Sequence, residues 1–142
     1  LLCPQTGGLE FLPKEEALAM MRENEDEGLC HTVWSFITPF IGGICNCALP
    51  GCMAMSATLT HRTPVMFRAE YVAVVDEEKC SGCGECVKIC PFDAYLPWKR
   101  KAKAKVDAEE CYGCGICRNA CPRGAITLVD RAAVPAAASL WL

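Results

Sequence analysis

The stretch Cys80–Pro91, CSGCGECVKICP, sets four thiols at intervals of three, three and four residues and closes on a proline. It recurs as Cys111–Pro122, CYGCGICRNACP. Superposing Cys80 on Cys111 also superposes Gly82 on Gly113, Gly84 on Gly115 and Pro91 on Pro122, so the chain from Tyr71 onward is an internal duplication. Thiols with two residues between them are poorly disposed to pair with each other but converge easily on metal. A loop around one face of a cubane iron–sulfur core can present three thiolates at that spacing. The fourth has to come from elsewhere, because the same short loop cannot reach behind the core.

The bulk numbers agree with a metalloprotein. A chain of 142 residues is long enough for one ordinary domain or two small ones. Its 14 basic and 17 acidic residues leave a formal charge of −3, which lacks the basic footprint of a nucleic-acid binder. No apolar run reaches the ~18 residues of a membrane span. Thirteen cysteines are the outlier. Their odd number, their C-x-x-C-x-x-C clustering and the want of a secretory h-region argue against a disulfide scaffold and for a reducing, cytoplasmic compartment. The opening Leu1-Leu2-Cys3, without methionine, points to processing or to a longer parent chain.

Outward from the repeats, the expected fold class is α+β. PKEEALAMMRENEDEG predicts a helix, with Pro13 at its first position, Glu15 and Glu16 at the positive end and Gly28 at the stop. Ala17, Leu18 and Met21 give it a narrow apolar face. Glu25, Asp26 and Glu27 at the negative end predict a frayed last turn and a solvated acidic face. From Leu29 to Pro50 no period of 2 or 3.6 survives Pro39, Gly42 and Gly43, so that segment reads as irregular. GCMAMSATLTHR reads as a short helix and Tyr71–Val75 as a strand. Each copy reads strand, cysteine loop, short helix, strand, with YVAVVD and FDAYL flanking the first loop and AKVDAEE and RGAITLV the second. That order predicts two halves about a pseudo-twofold axis, with antiparallel hairpins on one side and two short helices on the other. The divisions are a mainly helical or irregular region 1–65, a cysteine-repeat domain 66–130 and an apolar tail 131–142, which reads either as packing on a partner or on the N-terminal region or as disordered.

With C-x-x-C-x-x-C-x-x-x-C-P in both copies, residues 71–130 resemble the bacterial-type ferredoxins that hold two [4Fe–4S] clusters. In that family the fourth cysteine of each run ligates the other cluster. The resemblance therefore implies one cluster on Cys80, Cys83, Cys86 and Cys121, and a second on Cys111, Cys114, Cys117 and Cys90. Pro91 and Pro122, which lack an N–H, stop the helices that deliver the crossing thiols. Glycines 82, 84, 113 and 115 allow positive φ and a close approach of backbone amides to sulfide. Structural zinc has no use for a third cysteine at the same interval, and Rieske ligation needs histidines placed in the motifs, where His31 and His61 are not.

Cys3, Cys30, Cys45, Cys47 and Cys52 remain. ICNCALPGC gathers Cys45, Cys47 and Cys52 in an apolar, glycine-bearing loop and suggests a third metal site, completed by Cys30 or Cys3. An iron–sulfur cluster is favoured there over zinc. The plainer reading is a set of reduced, partly buried thiols. KEEALAMM, EGLCH and ICNC also resemble the C-terminal part of longer cytosolic dicluster proteins. Those are commonly richer in cysteine after ICNC than the ALPGC of this chain.

No catalytic triad, phosphate-binding glycine fingerprint or acid/base pair stands out. The expected role is one-electron transfer, as a carrier or as a subunit of a larger redox complex with a redox protein partner. The alternative is an iron–sulfur oxidoreductase whose N-terminal region carries the third centre. Lys99, Arg100, Lys101, Lys103 and Lys105 in WKRKAKAK would line one side of a hairpin strand, either as a solvated edge or as a dock for an acidic partner near one of the clusters.

Overall fold

The computed structural model describes residues 11–37 and 40–141. Helix α1 spans Lys14–Asp26 and is followed by strands β1, Cys30–Ile37, and β2, Phe40–Cys47. Helix α2, Met53–Met55, runs directly into a wide π turn, Ser56–Thr60. The repeat region contributes β3, Tyr71–Val75; α3, Glu85–Ile89; α4, Ile116–Asn119; and β4, Ile126–Asp130.

The duplicated halves interlock. β3, at the start of the first copy, pairs antiparallel with β4, at the end of the second, from Tyr71↔Asp130 to Val75↔Ile126. The inner pair of strands shrinks to one bridge, Tyr95↔Val106, flanked by the Leu96 N–H to Lys105 carbonyl bond of 2.9 Å and the Asp107 N–H to Ala94 carbonyl bond of 3.0 Å. Short helices α3 and α4 pack together on the other side. This is the α+β, pseudo-twofold arrangement that the repeat implies.

The N-terminal region departs from expectation. Strands β1 and β2 pair antiparallel where an irregular segment was expected. Cys30, Thr32 and Trp34 alternate on one strand and oppose Cys47, Cys45 and Gly43 on the other. The period of 2 is masked in the sequence because the outer face is also apolar: Val33 is 62% exposed and Ile41 65%. The register also slips around Ser35. Nor does α1 fray at Glu25. Gly28, at φ +83°, closes the helix, with the Leu29 N–H reaching the Asn24 carbonyl at 2.9 Å. Glu25 meets Arg118 of α4 at 3.1 Å, so the acidic end is tied to the repeat region instead of being wholly solvated.

One core joins these parts. Cys30, Cys47 and Met55 cluster with Met66, Val72, Ile116 and Ala137. Met55 is wholly buried, worth roughly 1.5–3 kcal/mol of apolar transfer. The tail lies on the repeat region itself: Ala137 is buried, and the Arg68 N–H bonds the Trp141 carbonyl at 2.8 Å.

Candidate metal centres

Each cysteine run is launched by an aspartate turn that the sequence shows as D-x-x-x-C in both copies. The Asp76 carboxylate accepts from the N–H groups of Glu78 and Lys79 at 3.0 and 3.2 Å, and the Cys80 N–H returns to the Asp76 carbonyl at 3.0 Å. These donors and Lys79 hold the Asp76 carboxyl below its ordinary range, with Lys79 the largest influence. Asp107 repeats the device ahead of Cys111, accepting from Glu109 N–H at 3.1 Å. Such aspartates fix the entry to a loop by mimicking a backbone turn.

Each loop then passes through glycines at positive φ. Gly84 and Gly115, at +81° and +82°, stand just before α3 and α4. At Gly113 a Cβ would lie 2.2 Å from the Tyr71 carbonyl oxygen, so the second loop is pressed against the start of β3.

The thiols collect in two groups, and the grouping is crossed. Cys80, Cys83 and Cys86 line a cavity together with Cys121, closed by Val75, Ala104 and Ile126. About 310 Å³ there is free of protein atoms, part of it open to solvent. Cys90 belongs instead with Cys111, Cys114 and Cys117, whose charges act on one another. The ring of Phe92 stacks on Tyr112 with centroids 4.4 Å apart, which holds the segment after Cys90 on the Cys111 loop.

The donor sets suit iron–sulfur cores. Burial pushes the Cys117 thiol up to about 12 and also raises Cys86 and Cys90, so without a cation these thiols stay protonated. Metal ligation displaces such protons. Backbone amides point at the sulfurs: Ala125 N–H reaches Cys121 Sγ at 3.3 Å, and Glu85 and Ile116 N–H serve Cys83 and Cys114. Among the described residues no group of three or more His, Cys, Asp or Glu side chains is drawn together tightly enough for a single metal ion. All twelve described cysteines are free thiols.

Residues 73–128 match the family model of the 4Fe-4S dicluster domain. This part of the chain is a 4Fe-4S dicluster domain. It carries two [4Fe–4S] clusters. Ferredoxin-2 of Desulfomicrobium norvegicum is 56% identical over 25 residues, 18% of this chain and 42% of that protein. A tetrathionate reductase subunit of Archaeoglobus fulgidus is 37% identical over 57 residues, 39% of this chain and 25% of its own length. The beta chain of the dimethylsulfide dehydrogenase of Rhodovulum sulfidophilum is 38% identical over 71 residues, 49% of this chain and 20% of its own length. The chain thus spans less than half the length of each of these relatives.

Two residues around the clusters escape the motif. Tyr95 stands five residues after Cys90, as Ile126 stands five after Cys121. Its hydroxyl is shut off from solvent and makes no hydrogen bond of normal geometry, yet it faces the Cys86 and Cys117 thiols, one from each group. Burial raises the Tyr95 phenol well above its ordinary value, and both thiols add to the effect. Arg131, 0% exposed, donates to the carbonyls of Ala69 at 2.7 Å, Tyr71 at 3.1 Å and Cys111 at 2.6 Å, clamping the second loop to the edge of β3. Burial lowers its pKa, while the Cys111 thiol opposes that change. In the sequence Arg131 is merely the first residue of an apolar tail.

The basic insertion is a turn over the first cysteine loop, not a strand with lysines on one side. Trp98 lays its ring where a Cβ of Gly84 would be and donates to the Ala102 carbonyl at 2.9 Å. Lys103 bonds the Cys80 carbonyl, and Lys105 approaches Glu77 at 3.7 Å. The strand fails because Lys101 takes a positive φ of 69°.

The N-terminal thiols lie beside the second group. Cys30, 3% exposed, has its thiol against that of Cys114 and near Cys47, Cys52 and Cys90. The contact with Cys30 is the main influence raising Cys114, and the contact with Cys114 lowers Cys30. Cys45 is exposed, and Cys3 lies outside the described residues. His31 is engaged with Asn46 across the hairpin, Nδ1 to Oδ1 at 2.7 Å.

Proposed function

We propose that the chain transfers single electrons through two clusters, one held by Cys80, Cys83, Cys86 and Cys121 and the other by Cys111, Cys114, Cys117 and Cys90. Each cluster, when bound, supplies a one-electron couple whose potential follows burial, charge and hydrogen bonds to sulfur. The observation that carries the reading is the crossed grouping: Cys121 lines the cavity of the first run, and Cys90 sits with the second. The chain's own part is to hold two thiol nests back to back, with Tyr95 between them, and to exclude water from their shared side. Relatives named as parts of a reductase and a dehydrogenase support a place in a larger redox complex over a free shuttle. Among the described residues no helix is long and apolar enough to cross a membrane. An acidic redox partner docks on the turn Lys99–Lys101, since Lys103 and Lys105 are engaged within the chain.

The ligand set is tested by Cys121→Ala and Cys90→Ala, with electron paramagnetic resonance of the reduced, anaerobically purified chain. Cys121→Ala is expected to remove the cluster of Cys80, Cys83 and Cys86, and Cys90→Ala the other. Loss of the cluster nearest in sequence would overturn the assignment.

A further inference from the structure

Four described thiols have no place in the dicluster domain: Cys30, Cys45, Cys47 and Cys52. We infer that these four hold a third iron–sulfur cluster, set against the Cys114 ligand of the second cluster. The inference goes beyond the electron-transfer reading and does not depend on the crossed ligation.

The hairpin assembles the set. Cys30 and Cys47 are register partners, and Cys45 opposes Thr32 one pleat along. Residues two apart on a strand share a face, so Cys45 and Cys47 point the same way. The chain then turns through Ala48–Gly51 and brings Cys52 back against Cys47. Cys47 and Cys52 line an open hollow with Asn46 and Leu49, about 690 Å³ including space open to solvent, while Cys30 and Cys45 stand outside its lining. The sequence left Cys30 and Cys3 as rivals for the last ligand, and the hairpin puts Cys30 in the set.

The sulfur environment repeats that of the dicluster domain. Cys83 and Cys114 each accept an N–H from the residue two positions on, Glu85 and Ile116. Cys52 does the same with Ala54 and adds Met55 N–H, at 3.5 Å, where α2 begins. The Thr32 hydroxyl is 3.5 Å from Cys47 Sγ. Donors aimed at sulfur are the outer support that a metal-bound thiolate uses. Packing alone accounts poorly for these thiols, because Cys45 is exposed and Cys47 and Cys52 face a hollow. Thiols with backbone donors of the kind found at the dicluster cysteines suit the same class of cofactor.

The test uses the full chain, purified without oxygen and reconstituted with ferrous iron and sulfide. Iron, acid-labile sulfide and zinc are measured per chain. About 12 irons are expected, three cubanes of four. Cys47→Ser with Cys52→Ser should leave about 8 and retain the dicluster spectra. Cys45→Ser, at an exposed position, should also cut the count toward 8 without risk to the fold. Eight irons in the unaltered chain, with or without zinc, overturn the inference, and that measurement stands even if the double variant fails to fold. Contact with Cys114 adds a second readout: spin coupling in the fully reduced chain that disappears in Cys45→Ser. A spectrum identical in both overturns the placement beside the second cluster.

Discussion

Gly113→Ala is expected to release the second cluster far faster than a comparable change elsewhere, and the structure sets the size of the effect. Gly113 has φ +78°, where an alanine costs about 1–2 kcal/mol. Its new Cβ would also meet the Tyr71 carbonyl oxygen at 2.2 Å and carbon at 3.0 Å, and Ala69 Cβ at 3.1 Å. Those atoms cannot retreat easily. Tyr71 begins β3, and both carbonyls are held by the buried Arg131. Forcing a methyl into such packing adds about 1–3 kcal/mol. Gly124→Ala is the control, since Gly124 has φ +57° but nothing within 4 Å of the added methyl. The difference, about 1–3 kcal/mol, corresponds to roughly 5- to 150-fold in rate if opening of the loop limits cluster loss. The assay is bleaching of the visible cluster absorption under excess chelator. The expected order is Gly113→Ala far faster than Gly124→Ala, with the cluster bound by Cys111, Cys114 and Cys117 lost first. Rates within threefold of each other would refute the clash argument.

Other substitutions probe the surroundings of the clusters. Tyr95→Phe keeps the ring and removes the hydroxyl facing Cys86 and Cys117; losing ~1 kcal/mol of preference for the reduced state should lower a midpoint potential by about 40 mV in a one-electron titration, and unchanged potentials would exclude a bond from Tyr95 to either thiolate. Arg131→Gln removes the donors bonded to three buried carbonyls and should destabilise the chain by about 1–3 kcal/mol in chemical unfolding; a loss under about 0.5 kcal/mol would show those carbonyls find other partners. If Lys99, Arg100 and Lys101 dock an acidic partner, changing all three to Gln should abolish the salt dependence of electron transfer, because such steering is screened over about 10 Å at 0.1 M salt; a dependence that persists would leave the turn a solvated edge.

What could be read from the sequence followed from how local each signal is. The two cysteine runs, the strand Tyr71–Val75 and the strand around Ile126–Leu128 announce themselves through spacing and β-branched residues, and they stand where expected. The hairpin at 30–47 did not, because apolar residues occupy both faces and Gly42 and Gly43 interrupt the alternation. Its inner face became visible only through its partners, Cys47 against Cys30 and the Trp34 indole bonded to Thr32 at 3.1 Å. The D-x-x-x-C turns were present in both copies and could have been found from the repeat alone. Arg131 and Tyr95 carry no local mark, since their roles come from backbone carbonyls and thiols distant in sequence.

The placement of these groups gives the molecule two unlike ends. On the proposed ligand sets, the first cluster lies under the turn of Trp98 to Lys103, where Lys103 reaches the Cys80 carbonyl. The second lies between Arg131, bonded to the Cys111 carbonyl, and Cys30, whose thiol faces that of Cys114. A buried guanidinium favours the more negative, reduced state of whatever Cys111 holds. The Tyr95 hydroxyl stands where the two groups meet. Arg131→Gln therefore probes potential as well as stability: it should lower the second potential relative to the first.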